Sequence, residues 1–258
     1  MARGPSRRDI PASRWACGSS SLNYDALLID ADDTLFDFEA AETAALAATL
    51  RSFGPLPGTG DWIDTFRLIN ARAWADYEAG RATSQEIRVR RFVEFLDAID
   101  VAADPDEVSR QYVGCLADCG HLLPGAQKLL DTLRPLLPLV LVTNGIAAVQ
   151  RSRLARVGLT DYFTAIVISE EVGVQKPDRA IFEHAIAALA QNSRADAALT
   201  IRIAMIGDGL HSDISGALGV GIDAIWLNIR NKPGDPAIVP TATARSIDEL
   251  YPILGLRT

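Results

Sequence analysis

The sequence predicts an α/β fold, a doubly wound parallel sheet with an inserted all-helical cap. Three observations predict it. Over the second half of the chain, short apolar runs alternate with helical segments. One more such run stands near the N-terminus, and the stretch between, Phe38 to Asp118, carries helical spacing with few strand-like runs. Strands that alternate with helices pair in parallel, because each crossover helix returns the chain to the same end of the sheet, and helices then cover both faces.

The elements follow in order. Residues 1–23 carry Arg3, Arg7, Arg8 and Arg14 against Asp9 and lack a signal-length apolar run. A disordered tail or an early start codon is expected there, with an organelle transit peptide as the alternative. Tyr24–Asp30 is an apolar run ending in acid and reads as a buried strand. Phe38–Phe53 reads as a helix, stopped by the Gly- and Pro-rich stretch from Gly54 to Gly58. Asp61–Gly80 repeats the pattern with Trp62, Phe66, Ile69, Ala73 and Trp74 at helical intervals. Thr83 with Glu86 is a capping box that opens a third helix, and Asp104 before Pro105 opens a fourth. Beyond Gly125 the strand-like runs are Leu139–Val142, Ala165–Ile168, Ile201–Ile206 and Ala224–Leu227, with helices starting near Ala126, Ala147, Asp178 and His211. The division expected is a core of residues 24–35 and 121–258 around a cap of residues 36–120.

Composition narrows the function. The 258 residues are 48% hydrophobic, a globular proportion rather than that of a disordered chain. Lys and Arg number 25 against 33 Asp and Glu, for a net charge of -8. That balance lacks the basic footprint of a sequence-independent nucleic-acid binder. No stretch approaches the roughly 20 apolar residues that span a bilayer. Three cysteines cannot form a disulfide framework, which favours a reduced, cytoplasmic setting. No nucleic-acid and no membrane partner is expected; monomer and homodimer both stay open.

Ligands of open parallel sheets bind at the carboxyl ends of the strands. The first strand ends in Asp30, Asp32, Asp33 and Thr34, the second in Thr143, Asn144 and Gly145. Lys176 and Pro177 follow the third; the fourth ends in Gly207 and Asp208, with Asp213 one turn on. Each piece alone is an ordinary turn or helix cap; the ordered set is the signal. Carboxylates crowded at one edge repel unless a hard divalent cation sits among them, and Mg2+ takes one or two carboxylates plus substrate oxygens and water. An ammonium and a hydroxyl beside that cation suit a phosphoryl group. Asp30 is the natural nucleophile, and Asp32 can lean back as general acid and then base.

These residues resemble the haloacid dehalogenase-like hydrolases. Residues 30–34 match the family's first motif, DxDxT; Thr143 matches the second, Lys176 the third, and Gly207, Asp208 and Asp213 the fourth. The helical insertion is similar to the type-1 cap. The stretches DADDTLF (30–36), TNG (143–145), ISEEVGVQKP (168–177) and WLN (226–228) look like the noncanonical pyrimidine nucleotide phosphatases, a 5'-nucleotidase subgroup, and phosphoglycolate-phosphatase-like relatives share much of them. The resemblance implies Mg2+ held by Asp30, the backbone carbonyl of Asp32 and Asp208. It also implies a phosphoryl group bound by Thr143, Asn144, Gly145 and Lys176, and Asp213 orienting Lys176 or a metal-bound water. A carboxylate at position 32 argues for phosphate esters over haloacids, since it protonates a leaving alkoxide. Gly209 stands where relatives often carry a small hydroxyl residue. The activity expected is hydrolysis of a small phosphorylated metabolite, a nucleoside 5'-monophosphate. The alternatives are a phosphoglycolate or sugar-phosphate phosphatase and a non-catalytic binding protein on the same fold.

Other candidates are weaker. Trp74, Tyr77 and Phe36 could stack on a base, though aromatics at helical spacing usually belong to a core. Arg67, Arg72 and Arg81 could meet a second anion, though a solvated face is the default reading, and Arg88, Arg90 and Arg91 read the same way. Arg151, Arg153 and Arg156 read as facing solvent or nearby acids. Cys115, Cys119 and His121 lack a fourth ligand for zinc, and His184 reads as structural.

Overall fold

The computed structural model describes residues 22–54, 61–192 and 201–256. The N-terminal tail expected over 1–23 lies outside the described residues but for its last two positions, as does most of the Gly- and Pro-rich stop after Phe53.

Six parallel strands form one sheet among the described residues, in the order β3-β2-β1-β4-β5-β6. They are β1 (Ala26–Ile29), β2 (Leu139–Thr143), β3 (Ala165–Ile168), β4 (Ile203–Gly207), β5 (Asp223–Leu227) and β6 (Ala242–Ala244). The central strands are apolar throughout because both faces are covered. Alternation still sorts the side chains. Leu27, Ile29, Leu139, Leu141, Ala204 and Ile206 pack on one face, with α5 (Ala126–Leu133) and α10 (Ile247–Leu254). Ala26, Leu28, Val140, Val142 and Met205 pack on the other, with α8 (Arg179–Asn192) and α9 (Ser215–Gly219). The chain runs outward in opposite directions from β1, so the β1 and β4 carboxyl ends flank the crevice where strand order reverses.

Between β1 and β2 lie α1 (Phe38–Phe53), α2 (Asp61–Glu78), α3 (Ser84–Ala98) and α4 (Pro105–Asp118). The first bounds follow from local chemistry. The Asp37 side chain accepts from the Ala40 N–H at 3.2 Å, and Thr83 and Glu86 form the reciprocal capping box. Phe66, Phe92, Phe95, Val108 and Tyr112 are fully buried in a core of this inserted module. Arg91 corrects the expectation of a solvated arginine face: it is 2% exposed, beside the rings of Phe66, Phe92 and Tyr112. It donates to Asn70 Oδ1 at 2.6 Å, and Asn70 donates to Glu42 at 2.7 Å, so a buried polar chain leads from the guanidinium to a carboxylate.

The two chain crossings between core and insertion lie side by side. Phe36 and Leu122 form an antiparallel bridge, Leu123 N–H donates to the Leu35 carbonyl and Asp37 N–H to the His121 carbonyl. The insertion also touches the core through side chains. Tyr77 donates to Ser169 Oγ at 2.9 Å, Ser84 to Glu170 at 2.8 Å, and Arg88 pairs with Glu170. Three elements escaped the sequence reading: β6, α7 (Ser169–Val172) and α10. For α10 a signal existed. Ser246 caps the Glu249 N–H at 3.3 Å, the serine-to-glutamate spacing already recognised at Thr83.

Candidate active site

β1 delivers Asp30 to the carboxyl edge of the sheet, where the residue is 5% exposed. Lys176, 2% exposed, follows α7 and reaches back under the edge. Its Nζ lies 2.5 Å from Asp30, 2.6 Å from Asp213 and 2.8 Å from the Val142 carbonyl. Asn144 holds the lysine backbone from both sides, accepting from the Lys176 N–H at 2.8 Å and donating to its carbonyl at 2.9 Å. Thr143 is buried, and its Oγ1 accepts from the Gly145 N–H at 3.0 Å. The resemblance puts backbone N–H groups near Asn144 on substrate; here the Asn144 side chain spans the Lys176 backbone and the Gly145 N–H is directed at Thr143 Oγ1.

After β4 the chain must fold tightly to return Asp213. A Cβ at Gly207 would sit 2.3 Å from Asp213 Oδ2, and one at Gly209 would sit 2.2 Å from Ser212 Oγ. At Gly209, where relatives often carry a small hydroxyl residue, the nearest atom is the end of the Ser212 side chain, which a rotamer change can move. The Gly209 N–H donates to Asp213 Oδ2 at 2.9 Å. Asp30, Asp208 and Asp213 offer carboxylate oxygens that all lie within 4.8 Å of one another. Three hard oxygen donors so close fit a divalent cation of the Mg2+ kind.

The electrostatics match. Burial pushes the Asp30 carboxyl well above its usual range; Lys176 opposes the rise, and Asp213 and Asp208 add to it. Burial also works against the charge on Lys176, but Asp213 and Asp30 outweigh it and hold the ammonium above the usual lysine range. Burial raises Asp208 to about 6, partly offset by Lys232, whose Nζ lies 2.5 Å from Asp208 Oδ2. A pocket whose carboxylates resist ionisation without added positive charge is what a cation site looks like.

Asp32 stands apart from that cluster. Its side chain is held by Gln150 and Arg153 of α6 (Ala147–Arg156). Of the two expectations for Arg153, solvent or a nearby acid, the acid is the one met: it is fully buried and pairs with Asp32. Sequence reasoning also missed Glu78 at the end of α2. Its carboxylate lies 3.5 Å from Asn144 Nδ2 and bonds to Ser212, and burial raises its pKa, with Asp213 adding and Lys176 opposing. A carboxylate after a helical run gives no sequence signal. Lys232 is a third omission.

The stacking candidates find other work: Phe36 is fully buried, Tyr77 donates to Ser169, and Trp74 packs edge-on to Tyr77. Arg67, Arg72 and Arg81 pair with acids of the insertion. Cys119 Sγ bonds to the Cys115 carbonyl, and His184 is exposed.

Residues 24–221 match the haloacid dehalogenase-like hydrolase family. The chain belongs to that family. It is 33% identical over 233 residues to pyrimidine 5'-nucleotidase YjjG of Escherichia coli, covering 90% of this chain and 99% of that one. It is 34% identical over 232 residues to pyrimidine 5'-nucleotidase PynA of Streptococcus pneumoniae, covering 90% and 95%. The crystal structure of the HAD-hydrolase YfnB of Bacillus subtilis, bound to magnesium, superposes with a TM-score of 0.80 at 34% identity, covering 90% and 98%. Thus this member of the haloacid dehalogenase-like hydrolases has a doubly wound core with an inserted helical cap, and no helix among the described residues is long and apolar enough to cross a membrane.

Proposed function

We propose that this hydrolase cleaves a small phosphomonoester through an aspartyl-phosphate on Asp30, with a nucleoside 5'-monophosphate as preferred substrate. The observation that carries the reading is the buried Asp30 carboxylate gripped by Lys176, beside Asp208 and Asp213. Two similar chains named as pyrimidine 5'-nucleotidases support the substrate class. Asp30 attacks phosphorus while the bond to the leaving alkoxide breaks, and Asp32 gives that alkoxide a proton. Water then attacks the same phosphorus as Asp32 takes its proton back, which frees phosphate and restores Asp30. Lys176 and the Thr143 hydroxyl hold phosphoryl oxygens.

Mg2+ is the cofactor in this reading, held by Asp30, the Asp32 carbonyl and Asp208, with Asp213 steadying Lys176. Bound there, the ion would keep the carboxylates ionised and draw charge from the phosphoryl oxygens. The core is residues 24–35 and 121–258, and the cap, 36–120, excludes water from the pocket. The setting is the cytoplasm, consistent with few cysteines and an acidic surface. Retention of every motif residue weighs against a non-catalytic role.

The test is kcat/KM over a panel of nucleoside monophosphates, phosphoglycolate and sugar phosphates, with and without Mg2+, for the native chain and Asp30→Asn. The reading requires Mg2+-dependent turnover highest on a nucleoside monophosphate, and a folded Asp30→Asn variant without turnover. Near-native activity of that variant would overturn the nucleophile, and preference for phosphoglycolate would overturn the substrate class.

A further inference from the structure

We infer that Gln150 and Arg153 are positioning residues for Asp32, fixing the carboxyl that serves the leaving group. The inference rests on the proposed acid–base role of Asp32 and adds the machinery that aims it.

Gln150 and Arg153 lie three residues apart on α6, so both present the same helix face. Gln150 Nε2 donates to Asp32 Oδ2 at 2.6 Å, and Arg153 Nη1 donates to Asp32 Oδ1 at 2.5 Å. Each carboxyl oxygen thus has its own donor, and the carboxyl plane cannot rotate without losing one of them. The donors are more deeply buried than the carboxylate. Gln150 is 1% exposed and Arg153 0%, whereas the Asp32 side chain is 26% exposed. Two buried polar side chains directed at one half-exposed carboxylate is a costly arrangement to maintain for packing alone.

Gln150 is given room, and Arg153 is held in turn. A Cβ at Gly145 would stand 2.2 Å from Gln150 Nε2, so the glycine after Thr143 leaves the space through which the amide reaches Asp32. The Arg153 guanidinium lies 4.1 Å from the Phe36 ring centroid, and its Nε donates to the Cys119 carbonyl at 2.9 Å. Phe36 belongs to the first chain crossing into the cap, and Cys119 caps the last cap helix. Arg153 therefore ties Asp32 to both crossings. Proton transfer needs heavy atoms at about 2.6–3.2 Å, a tolerance that a free aspartate rotor on a loop meets only part of the time.

A merely structural ion pair predicts a different signature from an aimed acid. Protonation of the leaving oxygen matters most when that oxygen is a poor leaving group. The experiment measures single-turnover release of the leaving group from a series running from p-nitrophenyl phosphate through less acidic phenols to a nucleoside monophosphate. The proteins are the native chain, Asp32→Asn, Gln150→Met and Arg153→Lys, each checked for native circular dichroism and melting. General acid–base catalysis contributes roughly 100- to 10,000-fold, and loss of one of two aiming bonds is expected to remove about tenfold of it from the nucleotide while sparing the nitrophenyl ester. Arg153→Lys, which keeps charge but loses the fork, should show the same slope in weaker form and stands in if Gln150→Met does not fold.

If Asp32→Asn loses rate equally across the series, Asp32 is not the acid, and the proposed role fails. If Asp32→Asn is leaving-group selective but Gln150→Met and Arg153→Lys match the native chain or lose rate uniformly, the positioning inference fails alone.

Discussion

Replacing Lys176 by methionine probes the centre of the site through stability rather than turnover. The ammonium is 2% exposed and stands between Asp30 and Asp213 at 2.5 and 2.6 Å. Methionine preserves the stem and removes the charge. Two buried carboxylates then face each other with no cation, and breaking a buried pair in this way costs about 3–5 kcal/mol. That is a large part of the roughly 5–15 kcal/mol that holds a domain together. The loss must depend on pH. Asp30 already has a folded pKa above its usual value, through burial and then through Asp213 and Asp208. A group raised in the folded state contributes its stability at low pH and loses it as pH rises through the raised value. Without Lys176 the rise grows, so the variant is closest to native near pH 4 and furthest from it near pH 8. Mg2+ replaces the missing charge and narrows the gap. The assay is urea unfolding of both proteins at several pH values, in chelator and in Mg2+. A Lys176→Met protein as stable as the native chain near pH 8 in chelator, or a loss equal at every pH, would refute the reasoning.

Asp208 gives a second pH effect: burial lifts it from the usual 3.8 to about 6, which corresponds to about 3 kcal/mol before solvent screening at its partly open side. Its contribution to metal-free stability is therefore full below about pH 4 and fades by about pH 6, while Mg2+ affinity climbs over the same window; calorimetric Mg2+ titrations that show flat affinity from about pH 5 to 7 would contradict this. Glu78→Gln removes a negative charge facing Lys176 and Asn144. Inorganic phosphate should then inhibit about fivefold more tightly, a gain of about 1 kcal/mol typical of a charge across a wet cleft; an unchanged inhibition constant would remove Glu78 from the pocket.

Much of the fold was legible because its signals are local. The α1 bounds follow from alanine-rich helical spacing and the glycine after Phe53, and the α3 start from a capping box spanning four residues. Strands β2, β3 and β5 carry the apolar runs Leu139–Val142, Ala165–Ile168 and Ala224–Leu227, as cover on both faces demands. Strand β6 was not legible, because three residues reading Ala, Thr, Ala carry no periodicity and become a strand only by pairing with β5. The active-site motifs were legible as well, since each carboxylate, hydroxyl or amine lies at the end of a strand or in the loop or turn beyond it, and the topology rule carries strand ends to one edge.

The sequence by itself determined which chemistry arrives at the edge of the sheet: Asp30, Thr143, Lys176, Asp208 and Asp213, brought there by four strands and the loops after them. Tertiary structure alone decided which neighbours those groups meet. Gln150 and Arg153 lie 118 and 121 residues from Asp32, and Glu78 lies 66 residues from Asn144. Contacts at such separations depend on how helices cross and where the two chain crossings lie, and neither periodicity nor local spacing encodes that. The arginine of α6 shows the difference most clearly. In sequence it is one of three basic residues on a short helix, yet packing turns it inward over Phe36, where burial makes a carboxylate partner obligatory.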